Sequence, residues 1–148
     1  MDEAVICVNC GCAVGGQPSF SNHAHSSALI NTLSQRVNTN GIIWLVIGIL
    51  QILGGIFWNW FLLIVGVLNI ISSVNDMKYS KELLENPSNI VEKFEPVTGP
   101  IITLVYNLIF GGIIGVVGSI YYFVGIRSFV MENQAVFGRY SGGSVRQV

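Results

Sequence analysis

The three cysteines of this chain are the residues with the clearest potential for chemistry. Cys7, Cys10 and Cys12 lie within six residues, and the sequence has no other cysteine. A crowded, odd-numbered set has no distant thiol to pair with, so it favours a metal site or free thiols in a reducing compartment over a disulfide framework. Cys7 and Cys10 have the Cys-x2-Cys-Gly spacing with which two thiolates hold one face of a tetrahedral Zn²⁺ ion. We therefore predict a zinc knuckle in residues 1–16 and a cytosolic N-terminus.

One knuckle supplies two ligands, so a closed zinc site needs two more. Cys12, His23 and His25 are the remaining candidates. Both histidines lie in a stretch rich in Ser and Asn, residues 17–27, which is typical of a flexible, solvated linker. We therefore assign the possible Zn²⁺ ligands as Cys7, Cys10 and Cys12.

The N-terminal residues resemble the second half of the short zinc ribbons found at the N-terminus of many small bacterial membrane proteins. In those ribbons a first Cys-x2-Cys-Gly precedes a linker that ends in a run like Asp2 to Cys7, and that first knuckle is missing here. Three explanations stay open: a start upstream of Met1, a decayed ribbon, or a site completed by other ligands. The order of segments along the chain also resembles small zinc-ribbon membrane proteins of Gram-positive bacteria, which implies a topology and a compartment but no activity.

Two long apolar blocks, Ile42–Val74 and Val97–Ile126, organise the rest of the chain. Neither contains Lys, Arg, Asp, Glu or His. As a single helix the first block would be roughly 50 Å long, whereas the hydrocarbon core of a bilayer is about 30 Å thick. Hydrophobic residues make up 51% of the chain and charged residues 10%. These features predict an integral protein of the cell membrane.

The predicted fold is all-α, a polytopic membrane protein of two short helical hairpins. The first block is too long for one span, and Trp58-Asn59-Trp60 is a suitable turn between spans Ile42–Phe57 and Phe61–Val74. The second block is either a hairpin that turns near Gly111–Gly112, giving four spans, or one long helix, giving three. Four spans place all seven Lys and Arg residues on one side of the membrane, as the positive-inside rule prefers, so we favour four.

Small and polar residues within the blocks predict how the helices pack. Close backbone approach at small residues drives much of the association of helices in lipid. The glycines predicted to lie at helix contacts are Gly41, Gly48, Gly55, Gly111, Gly115 and Gly118. Three uncharged polar residues, Gln51, Asn69 and Asn107, are expected to form hydrogen bonds between helices.

The remaining segments are polar. We predict a polar linker with a short interfacial helix in residues 17–40, and a transmembrane domain over residues 41–137. A solvated loop, residues 75–96, interrupts that domain and is divided by Asn86–Pro87. Residues 138–148, rich in Gly and Ser, are expected to be disordered.

The expected function is non-enzymatic. A net charge of −1 with scattered Lys and Arg residues excludes the basic face that nucleic acid requires. Lipid is the expected environment, with a possible second copy of the chain. The knuckle and the loop 75–96 are expected to bind a cytosolic protein, which makes the chain an anchor or scaffold. The alternative is a small oligomeric channel or transporter component with a pathway lined by Gln51, Asn69 and Asn107.

Overall fold

The computed structural model describes residues 19–57 and 59–140, and all regular structure in that part of the chain is helical. The predicted all-α class is therefore confirmed. The predicted cysteine knuckle, residues 1–16, and most of the predicted disordered tail lie outside the described residues.

A long hairpin forms the first half of the structure. Helix α1, Ser19–Phe57, is followed by helix α2, Trp60–Glu85. Asn59 caps α2 with an extended backbone, and its Oδ1 accepts a hydrogen bond from the Phe61 N–H at 3.1 Å. This cap satisfies one of the free amides at the start of α2, so it marks where the new helix begins. The chain reverses at this point, where the sequence predicted a turn.

Helix α1 begins well before the predicted span. Residues 19–40, which fall in the segment predicted as a polar linker with a short interfacial helix, instead form one continuous helix with the apolar residues that follow. The polar residues just before the apolar block find partners within the helical conformation. Thr39 Oγ1 donates to the Gln35 carbonyl at 2.9 Å, and Asn40 Nδ2 donates to Asp76 Oδ2 on α2 at 2.6 Å.

Helix α2 also runs further than predicted and includes the first half of the expected loop 75–96. Its polar extension packs against the extension of α1, where Ser34 Oγ donates to the Ser80 carbonyl at 2.8 Å and Ser80 Oγ donates to the Ser34 carbonyl at 2.9 Å. Leu83 is fully buried in the same contact. The helix ends at Glu85, directly before the predicted break at Asn86–Pro87.

The second half of the structure is a series of shorter helical segments. In chain order they are α3 (Ile90–Phe94), α4 (Thr98–Tyr106), a π-helical segment (Asn107–Gly111), α5 (Gly112–Ile120), a second π-helical segment (Tyr121–Arg127), α6 (Ser128–Glu132), α7 (Gln134–Phe137) and a 3₁₀ turn (Gly138–Tyr140). Helix α4 packs against α5, helix α5 packs against α1, and the first π-helical segment packs against α2.

The chain reverses direction between Asn107 and Gly115. A Cβ atom added to Gly115 would lie 2.6 Å from the Cβ of Asn107. Eight residues of a straight α-helix would separate these positions by about 12 Å along the axis. The first π-helical segment and the first turn of α5 therefore form the reversal, which includes Gly111–Gly112.

The other end of this second hairpin is closed by contacts between its two arms. Arg127 Nη2 donates to the Glu95 carbonyl at 3.3 Å, and the rings of Phe94 and Tyr122 have centroids 6.3 Å apart. A straight helix from Thr98 to Arg127 would hold these groups about 45 Å apart. The second apolar block is thus folded back on itself rather than extended as one long helix.

The open ends of both hairpins meet in one hydrophobic cluster, which we call the base. Its buried members come from α1, α2, α3 and the segments after α5. They are Ile30, Leu33, Val37, Tyr79, Leu83, Ile90, Val91, Phe94, Ile126, Val130 and Phe137. The base also orders part of the predicted tail, because Phe137 is fully buried and the Tyr140 carbonyl accepts a hydrogen bond from the Asn89 N–H at 2.9 Å.

Beyond the base, many large hydrophobic side chains are exposed, while Trp44, Ile47 and Val65 are buried. With the exception of Leu84, every exposed large hydrophobic residue of the described chain lies in one of the two apolar blocks. The same part of the structure buries Gln51, Asn69 and Asn107. Two described helices, Ala24–Phe57 within α1 and Trp60–Glu85, are long and apolar enough to cross a membrane by length and composition.

Candidate functional site

Three of the predicted glycines lie where α1 meets α2. A Cβ atom added to Gly48 would lie 2.8 Å from the Gly66 carbonyl oxygen, and one added to Gly66 would lie 2.7 Å from the Gly48 carbonyl oxygen. A Cβ atom added to Gly41 would lie 3.0 Å from the Ser73 carbonyl oxygen, and one added to Gly55 would lie 2.7 Å from the Leu63 amide nitrogen. The helices therefore touch backbone to backbone at these positions, and a methyl group there would have to displace main-chain atoms.

The glycines of the second block occupy different contacts. Gly115 lies against the Asn107 side chain across the reversal. A Cβ atom added to Gly118 would lie 3.0 Å from Ile47 Cδ1 and 3.2 Å from the Trp44 ring, so α5 approaches α1 there. Gly111 ends the π-helical segment at the reversal.

The three predicted intramembrane polar residues come together in one hydrogen-bonded group, the amide cluster. Asn69 Nδ2 donates to Gln51 Oε1 at 2.6 Å and to Asn107 Oδ1 at 3.1 Å. Gln51 Nε2 donates to Asn107 Oδ1 at 3.3 Å. Tyr106 completes the cluster, because its hydroxyl donates to Asn69 Oδ1 at 2.7 Å. Asn107 Nδ2 donates to the Thr103 carbonyl at 2.9 Å.

The amide cluster joins α1, α2 and the second hairpin inside a single chain. Asn69 and Asn107 are fully buried, and Gln51 is 7% exposed. Because a buried polar group is costly unless it is hydrogen-bonded, this arrangement stabilises the packing of the three segments. The amides are directed at one another, so the geometry favours helix packing over a pathway lined by these residues.

A pocket of about 230 Å³ lies between the amide cluster and the base. It is much larger than the roughly 30 Å³ that one water molecule occupies in the liquid. Residues from α1, α2, α4 and the end of the second hairpin line it. They are Asn40, Trp44, Asn69, Ser72, Asp76, Gly99, Pro100, Thr103, Ser119, Tyr122 and Phe123. Ser72 and Gly99 are exposed, so the pocket opens between α2 and the start of α4.

Two polar side chains of the pocket lining, Asn40 and Asp76, are hydrogen-bonded to each other. Asp76 is partly buried and accepts the hydrogen bond from Asn40 Nδ2. Asn40 is 2% exposed, and its Oδ1 is buried without a hydrogen-bond partner. Rotating this amide by 180° would place Oδ1 against the Asp76 carboxylate, so the hydrogen bond fixes the amide orientation. We call this site the acidic pocket.

A cation of the base lies near the acidic pocket but is held elsewhere. Lys93 Nζ lies 3.1 Å from the centroid of the Tyr79 ring. Burial lowers the pKa of the Lys93 ammonium below its ordinary value, and the negative charges of Glu82 and Asp76 partly oppose that shift. The aromatic face and the nearby negative charges thus offset part of the cost of burying the ammonium.

The predicted zinc ligands Cys7, Cys10 and Cys12 lie outside the described residues. Within the described part of the chain, no group of three or more His, Cys, Asp and Glu residues is placed to hold a metal ion. His25 is exposed on the first turns of α1. No protein-family model, curated protein or solved structure matches the chain.

Sequence reasoning missed the acidic pocket and the role of Tyr106. A signal was present, because Asn69, Ser73 and Asp76 recur at helical spacing and continue the polar face of α2 beyond the apolar block. It was hidden by the assumption that α2 ended at Val74, which placed Asp76 in a solvated loop. The pairing of Asn40 with Asp76 depends on the long extensions of both helices.

Proposed function

We propose that this chain is a non-enzymatic integral membrane protein that anchors a folded base at the membrane surface. The observation that carries the proposal is the distribution of side chains. In one half of the structure, exposed hydrophobic residues surround a core that contains buried amides. In the other half, the base, the hydrophobic residues are buried in the core. A soluble protein rarely exposes a contiguous apolar surface of this extent, whereas lipid favours it.

The lengths of the helices support a specific depth in the bilayer. From Asn40 to Phe57, α1 rises about 25 Å, close to the thickness of the hydrocarbon core. The first arm of the second hairpin, from Thr98 to Gly111, would rise at most about 20 Å. Its Asn107 bonds to Gln51 and therefore lies at the same depth as Gln51. We therefore propose two complete crossings by α1 and α2 and a second hairpin that enters and leaves on the same side without a full crossing.

The charge distribution supports the orientation. Every described Lys and Arg residue lies outside the two apolar blocks, from Arg36 at one end of the sequence to Arg139 at the other. Because both hairpins open toward the base, these cations share one side of the membrane. The positive-inside rule then places the base and the N-terminus in the cytosol.

The proposed role is that of an anchor or scaffold. The polar extensions of α1 and α2 pack with α3, α6 and α7 into a base that carries exposed charged side chains, including Lys78, Lys81 and Glu92. Exposed charges of both signs could steer a cytosolic protein with a complementary surface to the base. Residues 1–16 precede α1 and would lie on the same side, where Cys7, Cys10 and Cys12 could hold Zn²⁺ as the resemblance to zinc ribbons implies.

Two measurements test this proposal against the channel or transporter alternative. The chain should stay in the membrane fraction through alkaline carbonate extraction, and recovery in the soluble fraction would contradict membrane integration. Purified protein in liposomes should give no ion flux above that of empty liposomes. A flux that is lost in Asn69→Leu would instead support a pathway through the amide cluster.

A further inference from the structure

We propose that the acidic pocket binds a small organic ammonium group. The proposal stands on three observations: a cavity, a partly buried carboxylate among its lining residues, and aromatic side chains in the same lining. An occupant with an ammonium group would pair with the Asp76 carboxylate.

Asn40 holds the Asp76 carboxylate in place. Asn40 Nδ2 donates to Asp76 Oδ2 at 2.6 Å, and Asn40 is itself only 2% exposed. An ammonium group has several N–H donors on one nitrogen and can form a charge-assisted hydrogen bond to the carboxylate. A ligand with a hydroxyl in place of the ammonium has one donor and no charge, so it should bind more weakly.

The aromatic residues of the pocket lining favour an organic cation over a metal ion. Trp44, Tyr122 and Phe123 supply aromatic rings, and an ammonium group is attracted to the face of such a ring. A hard metal ion needs about six oxygen ligands in close geometry, which an aromatic wall does not offer. The volume of about 230 Å³ suits an amine that carries an apolar group.

The position of the pocket allows two sources for the ammonium. Its opening lies between Ser72 on α2 and Gly99 at the start of α4, at the boundary between the exposed apolar surface and the base. A free amine could enter from water, and the ammonium of a lipid headgroup could enter from the interface. Only the lipid source depends on the membrane location proposed above.

The test uses the full chain in detergent micelles, with Trp58→Phe and Trp60→Phe so that Trp44 is the fluorescent reporter. Benzylammonium should change the Trp44 emission in a saturable way, and neutral benzyl alcohol of the same shape should bind at least tenfold more weakly. Asp76→Asn should weaken benzylammonium binding tenfold or more, since a charge-assisted pair is lost. Glu85→Gln removes an exposed carboxylate of the same helix and should leave the affinity unchanged.

Equal affinity for benzylammonium and benzyl alcohol would overturn the proposal, as would unchanged binding in Asp76→Asn. If Asp76→Asn does not fold, Asn40→Leu replaces it and should also weaken benzylammonium binding. Competition in nanodiscs then separates the two sources. Phosphatidylethanolamine should lower the apparent affinity for benzylammonium if a lipid headgroup is the occupant, and should leave it unchanged relative to phosphatidylglycerol if a free amine is. Because binding in micelles needs no bilayer, failed membrane integration would not explain a failure of this test.

Discussion

Replacing Gly48 by alanine should separate the α1 and α2 backbones, whereas the same change at Gly54 should not. The added methyl group at Gly48 would lie 2.8 Å from the Gly66 carbonyl oxygen and 2.7 Å from Ile70 Cγ1. A methyl group at Gly54 would have its nearest neighbour, Leu62 Cδ1, at 3.6 Å, which is an ordinary contact. The two positions therefore form a matched pair on one helix.

The expected magnitudes follow from two opposing effects. Overpacking costs about 1–3 kcal/mol, and replacing a helical glycine by alanine gains up to about 1 kcal/mol. Gly54→Ala should therefore be neutral or stabilising, and Gly48→Ala should be less stable than Gly54→Ala by about 1–3 kcal/mol. Unfolding in mixed micelles of increasing sodium dodecyl sulfate content, followed by circular dichroism, measures this difference. Equal stability of the two variants would refute the backbone contact at Gly48.

Two further predictions concern the amide cluster and the base. Asn69→Leu should lower the free energy of unfolding by about 1–3 kcal/mol, because Gln51 Oε1 and the Tyr106 hydroxyl lose their partner and Asn107 Oδ1 keeps only the bond from Gln51, and the same micelle titration measures the loss; an unchanged stability would contradict the cluster. Leu83→Ala should destabilise the chain by about 2–5 kcal/mol, whereas Leu84→Ala should change it by less than about 0.5 kcal/mol, because Leu83 is 1% exposed and Leu84 is 54% exposed. Similar losses in these two leucine variants would show that the extension of α2 does not pack as described.

The sequence was informative where long patterns dominate. The two charge-free blocks predicted the helical class, Asn59 predicted the first reversal, and the glycine repeat Gly41, Gly48 and Gly55 coincides with backbone contacts to α2. The helical class follows from the long apolar runs. The reversal and the close approaches depend on local chemistry, because a cap or a backbone contact selects its residue type directly.

The sequence was misleading where tertiary partners override local preference. Asn38 to Gly41 have the composition of a turn, yet they are helical because Asn40 bonds to Asp76 across the hairpin. The polar segment after Val74 has the composition of a loop, yet it continues α2 because Ser80 and Leu83 find buried contacts on α1. The acidic pocket lies between those two extensions, so its residues could not be grouped before the fold was known.

The central claim, that both hairpins open on one side of a membrane, is tested most directly by cysteine labelling in intact cells. Single cysteines at Asn59, Glu92 and Glu132, in a chain with Cys7, Cys10 and Cys12 replaced by serine, report the first reversal and both arms of the second hairpin. The proposed topology predicts that an impermeant reagent outside the cell labels position 59 but neither 92 nor 132 until the membrane is opened. Labelling of 132 together with 59, while 92 stays protected, would mean that the second block crosses the membrane once and would contradict this architecture.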